Sequence, residues 1–310
     1  EALKGAGFKA YLVGGCVRDI LLKREPKDWD VTTDALPENI QHIFPESVYE
    51  NNFGTVGIKT GSDNHKLAIV EVTTFRKEGK YEDFRHPLEI KFAKHVEDDL
   101  SRRDFTVNAM AQNIDEPESV VDPYDGQADL KAKLIRAVGK PEERFREDAL
   151  RLMRAVRFAA ELGFQIEPKT TEAIKITADL LEKIAQERIR DEFVKIIMAP
   201  GNGAAWGVVM LEQLGLMKNI VPELREGIAV GQNKHHIYTV WEHNLRALDY
   251  SANKGYSFEV RLASLLHDVG KPKTKVGDGQ DSSFHGHEVM GGRMTRKIME
   301  RLRFSKEISE

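Results

Sequence analysis

Two aspartates one residue apart, Asp28 and Asp30, lie in the run DWDVT, whose aromatic and β-branched residues predict a strand. Side-chain direction on a strand repeats every two residues, so both carboxylates face the same way. Paired anions are costly unless a cation lies between them. Hard divalent ions such as Mg²⁺ take oxygen ligands, and two of them can polarise the attacking hydroxyl and the leaving pyrophosphate of an in-line displacement. An isolated D-x-D on an edge strand is merely two solvated aspartates. A third acid tips the balance: Glu71 sits in the apolar run AIVEVTTF, where an unpaired carboxylate is expensive, and this directs it to the same metal site. Upstream, Gly14 and Gly15 follow one predicted strand and precede a helix carrying Arg18 and Asp19. Backbone without side chains can there approach a phosphate at a helix N-terminus, although a lone Gly-Gly is a weak signal.

The elements that must position these groups are strands at 9–13, 28–32, 55–60, 67–73 and 107–114, with helices at 16–23 and 37–44. From about Glu142 the texture changes to a 3.6-residue period, as in Leu150, Met153, Val156 and Ala160, and strand signals nearly vanish. A looser stretch from Pro222 to His236 precedes another helical pattern near Tyr238. The expected order is an α+β head over residues 1–138, a helical segment over 139–225 and a second helical module over 226–310. A chain of 310 residues suits two or three domains. It opens and ends inside apparently helical segments, as a fragment of a longer protein would.

A single cysteine, Cys16, excludes an internal disulfide, and no run has signal-peptide character or membrane-spanning length. These features place the chain in the cytoplasm with no membrane partner; its oligomeric state is left open. A net charge of −4 argues overall against nucleic acid, but charge is local. Residues 131–157 carry nine Lys or Arg against four acids, a surplus of five. Such a strip is either a solvated helical face or a landing surface for phosphates.

The runs YLVGGCVRDILL and DWDVTTDALPENI, then EVTTFR, SRRDFTVNAMA, RFREDALRLMRAVRFAAELGF and ERIRDEF resemble, in this order, the motif series of class II tRNA CCA-adding nucleotidyltransferases and the related bacterial poly(A) polymerases. The resemblance implies a polymerase-β-like head with a mixed five-stranded sheet, followed by an all-α neck and body and a helical tail. It implies template-independent transfer of CMP and AMP from CTP and ATP to the 3′ end of tRNA by two Mg²⁺ ions. Carried over by position, Asp28 and Asp30 match the metal-binding catalytic pair and Glu71 the acid beside it. Gly14, Gly15 and Arg18 match the phosphate loop, and Arg102, Arg103 and Asp104 match the segment that holds ribose and triphosphate.

Asp148 and Arg151 stand three apart on a segment read as helical, so they share a face, either as an ordinary surface ion pair or as a reader of bases. Cytosine and adenine both present an amino donor beside a ring-nitrogen acceptor, which a carboxylate and a guanidinium can pair together. Uracil and guanine place a carbonyl against the carboxylate. In the family the matching Glu-Asp-x-x-Arg motif acts as this protein template, and Arg154 and Arg157 continue the basic face. The polar stretch 76–87 (RKEGKYEDFRHP) resembles the flexible loop retained by members that add the terminal A.

Near the end, His243, the pair His267-Asp268 in RLASLLHDVGKP, and His285 and His287 are potential metal ligands. They resemble an HD-type metal phosphohydrolase module, in which His243, His267 and Asp268 would hold a second divalent metal. The family's usual further aspartate is not assignable here. Three alternatives to CCA addition stay open: a poly(A) polymerase, an enzyme adding A alone, and an HD phosphohydrolase with an RNA-binding head. A non-catalytic tRNA-binding protein would lack Asp28 or Asp30, and both are present.

Overall fold

The computed structural model describes residues 1–49, 54–64, 67–79, 81, 89–116, 118–233, 237–277 and 279–309. Most of the stretch 76–87, namely residues 80 and 82–87, lies outside them. The chain divides into two compact units, Glu1–Asp148 and Ala149–Glu310.

Among the described residues the first unit holds ten strands: β1 (Ala10–Val13), β2 (Asp30–Thr33), β3 (Ser47–Tyr49), β4 (Thr55–Lys59), β5 (Ile69–Thr74), β6 (Arg76–Glu78), β7 (Ile90–Phe92), β8 (Ala111–Asn113), β9 (Val120–Val121) and β10 (Leu134–Ile135). Seven form one sheet in the order β3-β4-β5-β2-β1-β8-β9. The expected five strands are its centre, β4 to β8, and the two additions are short edges of three and two residues. The β2–β5 pair is parallel and the other pairs of this sheet are antiparallel, so the sheet is mixed. β6 and β7 form a separate antiparallel hairpin.

Alternation along the strands divides the sheet's two faces. Ala10, Val56, Ile58 and Val72 join Leu3, Ala35 and Ile40, from the helix Pro37–Ile43, in a buried cluster with Val31 packed against it. On the opposite face Val13, Phe75 and Ala111 form a second cluster with Val96 and Leu100 of the helix Val96–Ser101. Asp30 and Glu71 have the parity of this second face.

The strand expected over 107–114 is shorter and starts later. Residues Thr106–Asn108 form a 3₁₀ turn and the strand is confined to Ala111–Asn113. The polar side chains account for this, because Thr106 Oγ1 donates to Asp129 and Asn108 bonds to Arg18 and Asp104, commitments a regular ladder would break.

The second unit is helical, as the periodicity predicted. Helices Arg151–Leu162, Gln186–Ile197 and Gly203–Gln213 pack on one another through Met153, Val156, Ile196 and Val208, all fully buried. Helices Val240–Asn253, Phe258–Leu266 and His287–Arg301 follow. Buried Arg261 donates to the carbonyls of Ile197 and Ala199, each at 3.1 Å, and of Tyr256 at 3.0 Å. Its guanidinium thereby satisfies the open C-terminal end of one helix from another, which ties 186–199 to 256–261 within the unit.

Candidate functional site

In the head the site begins with strand register. β2 and β5 align Asp30 directly with Glu71, so their side chains leave the same face on neighbouring strands. β1 runs against β2 with Leu12 opposite Val31, and its C-terminal end delivers Gly14 beside Asp30. Gly14 has φ +80°, and a Cβ there would stand 2.7 Å from Arg103 Nη1 and 3.7 Å from Asp30 Oδ2. The backbone conformation is one that side chains rarely adopt, and the loop lies against the movable end of an arginine and in contact with a carboxylate.

Burial pushes the Asp30 carboxyl above the usual range; Arg103 pulls it back and neighbouring Asp28 raises it further. Asp28, however, precedes β2 in a bend and is exposed, so the shared strand face expected of the pair is replaced by a turn leading into the strand. Glu71 is exposed as well, and the cost of burying it does not apply. Its place in the site rests on its register with Asp30. These three groups offer only oxygen, the donor set that suits a hard divalent cation.

The segment after Val96–Ser101 is held by charge. Asp99 is fully buried; its Oδ1 accepts from Arg102 Nη2 at 2.7 Å and its Oδ2 from Arg103 Nη2 at 3.2 Å. Burial pushes the Asp99 carboxyl up, but the two guanidinium groups outweigh it and hold the pKa below the ordinary value. Arg102 also donates to Glu78 on β6 at 3.1 Å. Arg103 Nε is buried with no hydrogen-bond partner among the described residues. Such an orphaned donor beside a glycine loop is what an anion would satisfy. Arg18 is buried on the same side, donating to Asp19 and to Asn108, each at 2.9 Å.

The helix Pro141–Glu147 stops at Asp148, whose φ of −138° and ψ of 104° are extended, and a new helix starts at Arg151. The two residues therefore do not share a helical face, and i, i+3 spacing is not what relates them. Within the second unit Arg157 stands 2.9 Å from Glu192 and its guanidinium lies 4.2 Å over the Phe158 ring; that of Arg154 lies 5.3 Å from the same ring. Several cations of the basic strip are likewise taken up within their own unit, Arg136 by Asp129, Lys140 by Glu143 and Arg144 by Glu147. The open landing surface is narrower than the sequence count suggests.

A second cluster forms in the helical unit. The ligand atoms of His243, His267 and Asp268 all lie within 4.8 Å of one another, the one such group of three or more among the described residues; the head carboxylates are not gathered so tightly. His243 Nε2 is 3.0 Å from His267 Nε2, and both are within 3.4 Å of Asp268 Oδ2. His267 Nδ1 bonds to the Ser264 carbonyl at 2.9 Å, which makes Nδ1 the donor and turns the Nε2 lone pair toward the cluster. His287, which the sequence offered without assigning, has the same arrangement: Nδ1 bonds to the Phe284 carbonyl at 2.7 Å and Nε2 lies 3.5 Å from Asp268 Oδ1. His285 is exposed and outside the group. Gly270 makes the approach possible, since a Cβ there would meet the His287 carbonyl at 2.3 Å. Burial raises the Asp268 carboxyl, but its bonds to His267 and Lys271 hold it far below the carboxylate range.

A mixed sheet presenting carboxylates beside a glycine loop and buried arginines, followed by helices and a His-Asp cluster, is the architecture of a polymerase-β-like nucleotidyltransferase head with an HD-type module. Sequence models of the poly A polymerase head domain, of the probable RNA and SrmB-binding site of polymerase A, and of the HD domain match residues 10–136, 163–228 and 240–310. The chain belongs to the family of class II CCA-adding nucleotidyltransferases and bacterial poly(A) polymerases. It is 46% identical over 215 residues to the CCA-adding enzyme of Lactobacillus helveticus, covering 69% of this chain and 52% of that one. Against the Listeria monocytogenes CCA-adding enzyme it is 44% identical over 227 residues, 73% of this chain and 55% of that one. The crystal structure of the Bacillus stearothermophilus CCA-adding enzyme in complex with CTP superposes with a TM-score of 0.74 at 33% identity, over 99% of this chain and 65% of that one. The chain thus spans about half the length of the curated relatives it matches. Enzymes of this family use divalent metals. No helix among the described residues is long and apolar enough to cross a membrane.

Proposed function

We propose that this protein adds CMP and AMP from CTP and ATP to the 3′ end of tRNA, releasing pyrophosphate. The observation that carries the reading is the meeting of Asp30, Glu71, Gly14 and Arg103 at one end of the sheet, set by register and by a glycine in a backbone conformation that side chains rarely adopt. Asp28, Asp30 and Glu71 would hold Mg²⁺. When bound, the metal lowers the pKa of the attacking 3′-hydroxyl and neutralises the developing charge on the leaving pyrophosphate. Gly14 and Gly15 let the backbone close on the triphosphate, while Arg18 and the orphaned donor of Arg103 orient it, with Arg102 and Asp104 on the ribose side. Asp148 accepts from the amino group of cytosine or adenine and Arg151 donates to the ring nitrogen, and Arg154 and Arg157 continue the basic stretch along the second unit's helix.

In this reading residues 1–138 form the catalytic head, 139–225 the base-selecting and tRNA-binding segment, and 226–310 the HD-type module. The work is cytoplasmic, where tRNA and reduced cysteines belong. The test supplies purified protein with tRNA ending before CCA, tRNA ending in CC, and a poly(A) primer, offering each labelled nucleotide in turn. Incorporation of C on the first and A on the second is expected. Long A tracts on the primer would establish a poly(A) polymerase, and A on the second tRNA alone an A-adding enzyme.

A second reading is favoured by the His243–His267–Asp268 geometry. Imidazole nitrogens held by backbone carbonyls beside a deprotonated carboxylate suit a borderline divalent metal, and His287 is placed to join them. The module would hold that ion as a metal phosphohydrolase acting on phosphate esters at RNA ends, independently of the head.

A further inference from the structure

Asn108 belongs to none of the metal, phosphate or base contacts above, yet it is 6% exposed and bonds at both ends of its amide. Its Oδ1 accepts from Arg18 Nη1 at 2.9 Å, across 90 residues of sequence. Its Nδ2 donates to Asp104 Oδ1 at 3.3 Å, the same oxygen that accepts from the Phe105 amide at 2.8 Å. On its other side Arg18 is held by Asp19, so the guanidinium is fixed from two directions, with Nη2 3.7 Å from where a Cβ of Gly15 would stand. An amide is required at 108 because one partner is a donor and the other an acceptor. Aspartate would face Asp104 oxygen to oxygen, and a small apolar residue would leave Arg18 and Asp104 each without this partner.

We propose that Asn108 is a positioning residue that sets the register between Arg18, on the triphosphate side of the bound nucleotide, and Asp104, on its ribose side. Through one planar amide the helix Gly15–Leu21 and the 3₁₀ turn Thr106–Asn108 move together, and a ribonucleoside triphosphate is gripped at both ends of one rigid unit. The inference rests on the nucleotidyltransferase reading; it adds a residue that touches no reacting atom and acts through two that face the nucleotide.

The test is calorimetric CTP binding to the full chain, with CTP and 2′-deoxy-CTP turnover on a tRNA lacking CCA. Wild type, Asn108→Ala, Asn108→Asp, Arg18→Ala and the Arg18→Ala/Asn108→Ala double variant are compared, each with its thermal midpoint. Asn108→Ala should weaken CTP binding by roughly ten- to a hundredfold, the range for losing a hydrogen bond to a charged group. On the Arg18→Ala background the same change should cost clearly less, because one of the two residues it acts through is already gone and only the Asp104 contact is left to lose. Asn108→Asp keeps an acceptor for Arg18 and loses the donor to Asp104. It should retain more CTP affinity than Asn108→Ala while the preference for CTP over 2′-deoxy-CTP falls, and this variant decides the matter if Asn108→Ala does not fold. Equal losses with and without Arg18, or a folded Asn108→Ala that binds CTP within twofold of wild type, would overturn the role. A wild-type chain that binds neither CTP nor ATP would instead remove the nucleotide reading itself, and Asn108 with it.

Discussion

Asp99→Ala is the substitution whose cost the structure fixes most directly. Asp99 is fully buried, with one oxygen on Arg102 and the other on Arg103, whose side chains are 17% and 18% exposed. Removing one partner of a buried ion pair costs about 3–5 kcal/mol, mostly because a charge is left uncompensated. Arg102 keeps its bond to Glu78 at 3.1 Å, which places the expectation at the lower end, about 3 kcal/mol. For a unit of 148 residues that corresponds to a fall in midpoint of about 6–12 °C. The pH dependence has a definite sign. The folded-state pKa is depressed, so this stabilisation is fully present above the unfolded value of about 3.9 and is lost as pH falls through the folded value. The gap between wild type and variant is therefore constant near neutrality and closes in acid. Urea unfolding followed by the fluorescence of Trp29, which lies in this unit, at pH 7 and again near pH 4, measures it. A difference under about 1 kcal/mol at pH 7, a surface-pair magnitude, would refute the assignment of a buried two-arginine clamp. So would a gap that widens in acid.

Asp30→Ala is expected to abolish nucleotide transfer while tRNA affinity in a filter-binding assay stays nearly intact, because backbone binding is separable from metal-assisted chemistry; residual turnover above about a hundredth of wild type would take Asp30 out of that role. Asp148→Ala should lower the ratio of kcat/KM for CTP over UTP, since loss of the carboxylate that opposes a carbonyl erodes specificity; a ratio within about threefold of wild type would mean Asp148 does not read the base. In the helical unit, His267→Ala should remove bound divalent metal, measured by elemental analysis after dialysis, and leave nucleotide addition unchanged. Parallel loss of both would make the two modules dependent on each other.

Much of this protein is legible in its order of residues, because the features concerned are local. A Gly-Gly pair between a strand and a helix, a change of period after Glu142 and a His-Asp pair at the end of an apolar helix each depend on neighbours a few positions away, and the structure places them as the sequence implied. What lay beyond the sequence depends on partners tens of residues distant. That Glu71 is exposed, and belongs beside Asp30 through register rather than through the cost of burial, follows from how β2 and β5 align. That Arg157 is paired with Glu192, and that Asn108 joins Arg18 to Asp104, follows from packing that brings separate segments together. The break at Asp148 fell inside a run with good helical character, where propensity alone carries the helix through. His287 reaches the His-Asp cluster because glycine at 270 lets one backbone come within contact of another. Periodicity is written residue by residue, whereas register, ion-pair choice and close backbone approach are properties of two segments at once, and only the folded chain decides which two.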